Sequence, residues 1–576
     1  MITAAQPMPV SRVSRAAYAR GGGAGREPRP ISLALDANEG IGPDSAFLDR
    51  VRLSVKAAKM YPSTTALESQ LAAEIGVDPA RVVVTAGADD AIERLCRVMC
   101  EAGREALMTD PTFEMIPRFV AFTGGASVCV PWLGGSFPVA EFEDRISERT
   151  SLICVVTPNN PTGSAATIAD IRRLRAAAPH AAILVDLAYG EFADEDLTRE
   201  AAALPNTVIT RTFSKAWGMA GLRVGFAVCD ERIAPWLRTS GLPYACSGLS
   251  LAAAGSWRRE GAGAVRTFVE QVRRERVLLT SHLRQLGAEV VDSQANFVFA
   301  RFRDASLVAD LLAGLGIAVR RYASSPTLKD YLRITIAIGD DARRLREAFT
   351  AILTPQAILF DMDGVIADVS QSYRRAIIET AAAFGVEVTM ADIAAMKAKG
   401  DANNDWVVTR RLIEAKGVPC SLEDVTARFE ALYQGVNGTP GLRNSERLLI
   451  PRADLAAIGA RYRLGVVTGR PRRDAERFLA ENDLAGLFQV VVCMEDTTYL
   501  KPNPEPVLLA LAKLKTSHAW MIGDTPDDVV ASRAAAVVPI GVVPPGEEFE
   551  KSSAVLLAAG AGRVLANLDQ LEEILP

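Results

Sequence analysis

The feature that most constrains this 576-residue chain is a set of short apolar runs with no polar face. Val82-Val83-Val84-Thr85, Leu152-Ile153-Cys154-Val155-Val156 and Ile183-Leu184-Val185-Asp186 are β-rich, and stretches of helical periodicity separate them. A strand without a polar face has to be covered on both sides, and in an open sheet helices do the covering. The region from Ile31 to about Leu353 therefore predicts a mainly parallel sheet in an α/β layer structure. The pattern restarts near Gln356. A helix predicted over Asp341 to Leu353 stops at Thr354-Pro355, where proline removes a donor and restricts the residue before it. The apolar strand Ala357-Ile358-Leu359-Phe360 follows at once, so the linker is short and two units are expected to be held close together.

In the second unit about one hundred residues separate Asp361 from the next apolar strand, Leu464-Gly465-Val466-Val467-Thr468. The insertion has helical character over Arg374 to Phe384, Asp405 to Lys416 and Leu422 to Tyr433. It reads as a helical cap, about 372–450, over the carboxyl ends of a doubly wound sheet, where ligands of such sheets bind. About thirty residues lie between Thr468 and Lys501, too few for a second cap. The polar segment Lys397-Ala398-Lys399-Gly400-Asp401-Ala402-Asn403-Asn404-Asp405-Trp406 either reads a substrate or is an exposed helix connection.

Composition narrows the partners. A chain of this length that is 49% hydrophobic and 23% charged fills several cores, so two or three folding units are expected. The net charge of -5 comes with dispersed basic residues, which leaves no footprint for nucleic acid or an anionic membrane. No apolar run reaches the roughly 18 to 20 residues that span a bilayer, and small molecules are the expected partners. Eight cysteines show neither a CxxC pair nor zinc spacing, which fits a reducing, cytoplasmic setting. Residues 1–30 are rich in Arg, Gly and Pro without the apolar core of a secretory signal, and are expected to form a disordered arm. The three histidines lie in no motif, which sets aside His-centred triads and His-rich metal sites.

The segment Thr212-Phe213-Ser214-Lys215-Ala216-Trp217-Gly218-Met219-Ala220-Gly221-Leu222-Arg223 resembles the lysine segment of fold-type I aminotransferases, which use pyridoxal phosphate (PLP) and pair a large, mainly parallel sheet with a small domain. Such a cofactor requires an amine, a carboxylate on the pyridine nitrogen, donors on the phenolate oxygen and a phosphate cradle. The resemblance implies Lys215 as the amine. Partial desolvation beside a cationic cofactor makes a lysine ionise less readily, so that it serves as nucleophile and proton shuttle. Asp186 would hold the pyridinium, and Tyr189 with Asn160 of Pro158-Asn159-Asn160-Pro161-Thr162-Gly163 would donate to the phenolate. Gly87-Ala88-Asp89, where a strand runs into a helix, would cradle the phosphate together with Thr212, Ser214 and Arg223. Phe113 matches the aromatic that stacks on the ring. Tyr61 matches a residue contributed by a neighbouring subunit, which implies a homodimer. Each piece alone has a bland reading, such as an Asn-Pro turn or an aspartate helix cap. Their order and spacing favour a site.

Within that family the finer resemblance is to the histidinol-phosphate aminotransferase branch, through Leu35-Asp36-Ala37-Asn38-Glu39, Gly87-Ala88-Asp89-Asp90, and the pair Arg320 and Arg333. Both arginines are expected at the substrate phosphate, an anion that guanidinium geometry suits. Leu187, Phe113 and Gly40-Ile41 depart from that pattern.

Asp361-Met362-Asp363-Gly364-Val365 resembles the nucleophile loop of haloacid-dehalogenase-like (HAD-like) phosphatases. Alone, a DxDG segment is as readily a solvated turn or a calcium-like loop. The resemblance implies Asp361 as nucleophile and Asp363 as the proton donor to the leaving alcohol, which favours a phosphatase or phosphomutase over a dehalogenase. Thr468 of Thr468-Gly469-Arg470 and Lys501 of Lys501-Pro502-Asn503-Pro504 would hold the phosphoryl group and shield the nucleophile. Asp361 and Asp524 would hold Mg2+, with the Asp363 carbonyl in reach and Asp528 either in the metal shell or orienting Lys501. Together the resemblances imply a bifunctional enzyme of histidine synthesis, with aminotransferase residues 31–354 and hydrolase residues 356–576. The alternatives are another phosphorylated amino alcohol or an amino acid as substrate, or one catalytically silent, regulatory unit.

Overall fold

The computed structural model describes residues 28–51, 58–397, 400, 404–436 and 438–576. The arm expected over residues 1–30 lies outside the described residues up to residue 27. Packing divides the chain into two compact units, one comprising Leu35–Phe302 and Tyr331–Ala342, the other Arg303–Asp330 and Arg343–Pro576 with the residues leading up to Ala34. No described helix is long and apolar enough to cross a membrane.

The first unit is built on β1 (Val82–Thr85), β2 (Glu105–Asp110), β3 (Ala126–Pro131), β4 (Thr150–Val156), β5 (Ala182–Asp186), β6 (Thr207–Thr212) and β7 (Gly225–Cys229), in the order β1-β7-β6-β5-β4-β2-β3. Every residue of β1, β5, β6 and β7 is buried, as strands without a polar face require. Strands β2 to β6 pair in parallel, whereas β7 is antiparallel to both neighbours. The reason is local: the connection from β6 to β7 holds a 3-10 turn, Ala220–Leu222, in place of a crossover helix, so the chain must reverse. The lysine segment is that connection. Helix α1 (Ala88–Met99) follows β1 directly and packs Ala91, Ile92, Leu95 and Cys96 against the sheet. A smaller antiparallel set, β8 (Glu289–Val291), β9 (Phe297–Arg301) and β10 (Tyr331–Thr335), completes the unit.

The second unit has a wholly parallel sheet of β11 (Ala357–Phe360), β12 (Arg463–Val467), β13 (Val490–Val492), β14 (Ala519–Gly523), β15 (Val538–Val542) and β16 (Arg563–Leu565), in the order β13-β12-β11-β14-β15-β16. Strand order reverses direction at β11, and the crevice at such a switch point is where doubly wound sheets bind ligands. Asp361 is the next residue. The strands Ala367–Asp368 and Arg447–Leu448 pair antiparallel and frame the insertion. It contains α2 (Tyr373–Ala383), α3 (Met390–Lys397), α4 (Asp405–Ala415) and α5 (Leu422–Gln434). Three of these match the expected helices; α3 is additional. Residues 398–399 and 401–403 of the polar segment lie outside the described residues, but its ends are not exposed: Lys397 and Asp405 pair at 3.4 Å with side chains 16% and 11% accessible. Residues ahead of Gln356 also belong to this core. The helix Ala305–Gly314 packs on β15 and β16, and Trp520 Nε1 donates to the Ala351 carbonyl at 2.9 Å.

Leu359, fully buried at the centre of β11, has no room to relax around a truncation. Leu359→Ala should cost about 3 kcal/mol, read from the denaturation transition followed by the fluorescence of Trp520, which pairs with Ile358. A loss under about 1 kcal/mol contradicts that packing.

Candidate active sites

At the carboxyl end of β5, Asp186 is buried and accepts from Thr210 Oγ1 at 2.8 Å and the Ala188 amide at 3.2 Å. Burial pushes its carboxyl up to about 6, against those hydrogen bonds. Lys215 Nζ donates to the Ala37 carbonyl at 2.9 Å and stands 5.7 Å from the centroid of the Tyr189 ring. Burial, and then the guanidinium of Arg333, lower its ammonium to about 8. Tyr189 Oη accepts from Asn38 Nδ2 at 3.0 Å. Arg333, on β10, donates to Asn160 Oδ1 at 2.6 Å and to the Asp36 carbonyl at 2.7 Å. The expected Asp186, Lys215, Tyr189, Asn160 and Arg333 therefore converge.

Asn38 is a part of this site to which the motifs assign no role. Its Oδ1 accepts from Thr335 Oγ1 at 2.9 Å and its carbonyl from Asn296 Nδ2 at 3.1 Å, so it ties Tyr189 to β10. Gly40, one of the departures from the branch pattern, has a steric cause: a Cβ there would lie 1.9 Å from the Lys215 carbonyl oxygen.

The residues expected at a phosphate also gather. Gly87 caps α1 at φ 88 with no side-chain cap, and a Cβ on it would lie 2.7 Å from Arg223 Nη2. Arg223 reaches Asp89 Oδ2 at 3.2 Å and Ser214 Oγ at 3.3 Å, and Thr212 Oγ1 donates to Ser214 Oγ at 3.0 Å. Ala88 opens the helix. Phe113 is half-buried against the core of α1. Tyr61 is 78% exposed and stacks on Tyr244 with centroids 4.4 Å apart. Arg320 lies in the second compact unit, 5.9 Å from the Tyr322 ring centroid.

These residues fit PLP. An anion at the start of α1 meets unpaired N–H groups and Arg223, a cationic ring nitrogen at Asp186 offsets its burial, and an amine near 8 is neutral often enough to attack a carbonyl. Bound there, PLP would supply an electron sink.

In the second unit Asp361 is buried directly after β11. Its Oδ1 accepts from Lys501 Nζ at 2.7 Å, and the same ammonium donates to Asp528 Oδ1 at 2.5 Å and the Val467 carbonyl at 3.0 Å. Burial opposes the Lys501 charge, but the two carboxylates outweigh it and hold its pKa above the ordinary value. Burial pushes Asp361 up to about 7, and it raises Asp524 with help from Asp528 and Asp361. Asp361, Asp524 and Asp528 place ligand oxygens within 4.8 Å of one another. Arg374 Nη2 lies 3.9 Å from Asp524 Oδ2 but is shared with Glu547 at 3.1 Å, and three clustered carboxylate oxygens suit a divalent, oxygen-seeking cation such as Mg2+. Asp528 Oδ2 takes the Thr525 amide and hydroxyl in a capping box, while Oδ1 holds Lys501. Thr468 is buried after β12, its Oγ1 accepting from the Arg470 amide at 3.1 Å. Asp363 Oδ1 accepts from Arg470 Nε at 2.6 Å, a contact absent from the motif reading.

Two outcomes follow from these charges. With Lys215 as the amine that engages PLP its neutral form would attack, so PLP uptake by apoprotein should accelerate with pH about a midpoint near 8, and the resulting visible absorbance band should vanish in Lys215→Ala; a midpoint at the ordinary 10.5 contradicts the desolvated site. For Asp361 the folded state holds its proton more tightly than the unfolded chain, so its contribution to stability falls as pH rises from the ordinary 3.8 through about 7. Saturating Mg2+ should therefore raise the melting temperature of the second unit by about 5 °C at pH 8 and hardly at all at pH 5.5. Asp524→Asn should erase the difference.

Comparison with known proteins addresses both units. Aminotransferase class I and II matches residues 45–352, and haloacid dehalogenase-like hydrolase matches residues 358–542. An imidazoleglycerol-phosphate dehydratase of Phytophthora nicotianae is 49% identical over 219 residues, covering 36% of this chain and 48% of that protein, so the chain spans about half the length of that relative. An aromatic amino acid aminotransferase of Mycobacteroides abscessus is 35% identical over 321 residues, 53% of this chain and 89% of that one. A histidinol-phosphate aminotransferase of Granulibacter bethesdensis is 32% identical over 337 residues, 56% and 89%. The structure of histidinol-phosphate aminotransferase from Sinorhizobium meliloti in complex with pyridoxal-5'-phosphate covers 56% of this chain and 91% of its own, with a TM-score of 0.50 at 24% identity, a likeness of fold. The chain belongs to the class I and II aminotransferases, PLP-dependent enzymes of fold type I, and carries a HAD-like hydrolase domain in its C-terminal region.

Proposed function

We propose that the chain is a bifunctional enzyme of L-histidine synthesis. PLP-dependent, glutamate-driven transamination at Lys215 makes histidinol phosphate, and Mg2+-dependent hydrolysis at Asp361 removes its phosphate. The observation that carries this reading is the presence of two complete charged sets in one chain: Lys215 with Asp186 and Arg333, and Asp361 with Lys501, Asp524 and Asp528. Relatives named for imidazoleglycerol phosphate and for histidinol phosphate support an imidazole-bearing phosphate ester as substrate. The aminotransferase unit would run over residues 31–354 and the hydrolase over 356–576, with a cap at about 372–450.

In the first site Arg333 binds the substrate anion, and Lys215 Nζ carries the proton exchanged at the substrate carbon. In the second, Asp361 attacks phosphorus as the bond to the alcohol oxygen breaks, and Asp363 gives that oxygen its proton. Water then attacks phosphorus, yields its proton to Asp363, and the Asp361 carboxylate departs with the electron pair of its bond. Thr468 and Lys501 hold the phosphoryl oxygens, and Mg2+ on Asp361 and Asp524 would offset their charge. The exposed Tyr61, Met60, Leu242 and Tyr244 form an apolar surface that suits a second copy, and a homodimer in the cytoplasm is part of this proposal. A second reading has its own support: the 35% identity to an aromatic amino acid aminotransferase favours an unphosphorylated aromatic substrate at Lys215.

Purified protein given histidinol phosphate and Mg2+ should release phosphate, and Asp361→Asn should reduce release to background. With 2-oxoglutarate, histidinol phosphate should outcompete phenylalanine as amino donor. Turnover of small generic phosphate esters without histidinol phosphate would defeat the assignment.

A further inference from the structure

We infer that Arg470 is a positioning residue for Asp363, seating the carboxyl that serves the leaving oxygen through a buried ion chain anchored in the helical insertion; this rests on the phosphatase reading above. Arg470 leaves the carboxyl end of β12 in the loop before the helix Arg472–Glu481 and is 1% exposed. Its Nε and Nη2 lie 2.6 and 2.5 Å from one atom, Asp363 Oδ1. Nε donates the hydrogen bond, Nη2 adds only its charge beside the same oxygen, and neither occupies Oδ2. Nη1 donates to Glu446 Oε2 at 3.0 Å, and Glu446 Oε1 accepts from Ser372 Oγ at 3.0 Å and Tyr433 Oη at 2.9 Å. Ser372 stands at the start of α2 and Tyr433 in the last turn of α5, so the chain runs from the nucleophile loop into the insertion. The guanidinium centre stands 4.9 Å from the ring centroid of Tyr373 and 5.3 Å from that of Phe478, which hold its plane.

Burying charges is costly even when they are paired, and packing alone is served as well by apolar groups. A triad built only for packing also has no need of the carboxyl two residues from the nucleophile. A proton donor, by contrast, must stand within hydrogen-bond reach of the oxygen it serves, and an error of about 1 Å is worth about 100-fold in rate. The backbone of the short loop around Asp363 is closed by its own hydrogen bonds, such as Ile366 N to the Met362 carbonyl at 2.9 Å, and Arg470 fixes the side chain that this backbone presents.

The test separates esters by leaving group. An alkyl alcohol departs with a proton, whereas p-nitrophenol departs as the anion, so in the first step only alkyl esters depend on where Asp363 stands, while the water step is common to all esters. Wild type, Arg470→Met and Arg470→Lys are assayed with Mg2+ on histidinol phosphate, glycerol phosphate and p-nitrophenyl phosphate. Arg470→Met should lower kcat/KM, which reports the steps up to departure of the leaving group, about 30-fold or more on the alkyl esters and about 3-fold or less on the aryl ester, with Arg470→Lys between because it keeps the charge. Adding Arg470→Met to Asp363→Asn should cost little further on the alkyl esters. Misfolding lowers all rates alike and leaves the alkyl-to-aryl ratio unchanged, so equal losses overturn the inference. Wild type that cleaves only the aryl ester overturns it too, and wild type inert on all three overturns the phosphatase reading with it.

Discussion

Both units depend on a carboxylate held at the carboxyl end of a buried parallel strand, where water cannot solvate it. Asp186 closes β5 and Asp361 follows β11, and in each case burial is the largest influence on the acid. A desolvated anion demands a cation, and the two units answer differently. Among the described residues Asp186 accepts hydrogen bonds from neutral donors, the Thr210 hydroxyl and the Ala188 amide. Lys215 acts on it only through space, and a cationic ring nitrogen would add to that charge. Asp361 has Lys501 built in, but Lys501 is shared with Asp528, and Asp524 adds a further negative group. A soft, delocalised ring cation suits the first arrangement and a hard divalent ion the second.

Strand connectivity then decides what faces each carboxylate. Because β6 returns through a 3-10 turn, the loop that bears Lys215 stays at the same sheet end as Asp186 instead of being drawn into a crossover helix. In the second unit β11 lies between β12 and β14, so the loops after these neighbours deliver Thr468 and Asp524 to either side of Asp361. Lys501 and Asp528 come from loop and helix segments that follow β13 and β14.

This is why so much was legible in the amino-acid order. Asp186, Asp361, Thr468 and Asp524 each end or follow an apolar run, and the same local pattern that marks the strand marks the residue. Where a role is made by distant partners the pattern is silent. Arg470 meets Asp363 across 107 positions, and Asn38 meets Tyr189 across 151 and Thr335 across 297. One sequence carries no record of such pairings. Helix α3, eight residues long with one fully buried side chain, has too little periodicity to stand out. Lys397 and Asp405 look like solvent-facing residues until each is seen to neutralise the other. Gly40 looks like an interruption until the Lys215 carbonyl is placed against it.

Arg333 links substrate charge to the proton affinity of the amine. Its guanidinium is among the groups that lower Lys215, second to burial. Its fork is turned toward Asn160 and the Asp36 carbonyl, neutral acceptors that leave its field intact. An anion paired with Arg333 would cancel part of that field, and Nζ would then hold a proton more tightly. An amine that must be neutral to engage the cofactor and must later carry a proton needs its affinity to change between those moments. The charge of an anion at Arg333 would make such a change, and Asn160, bonded to Arg333, stands beside it.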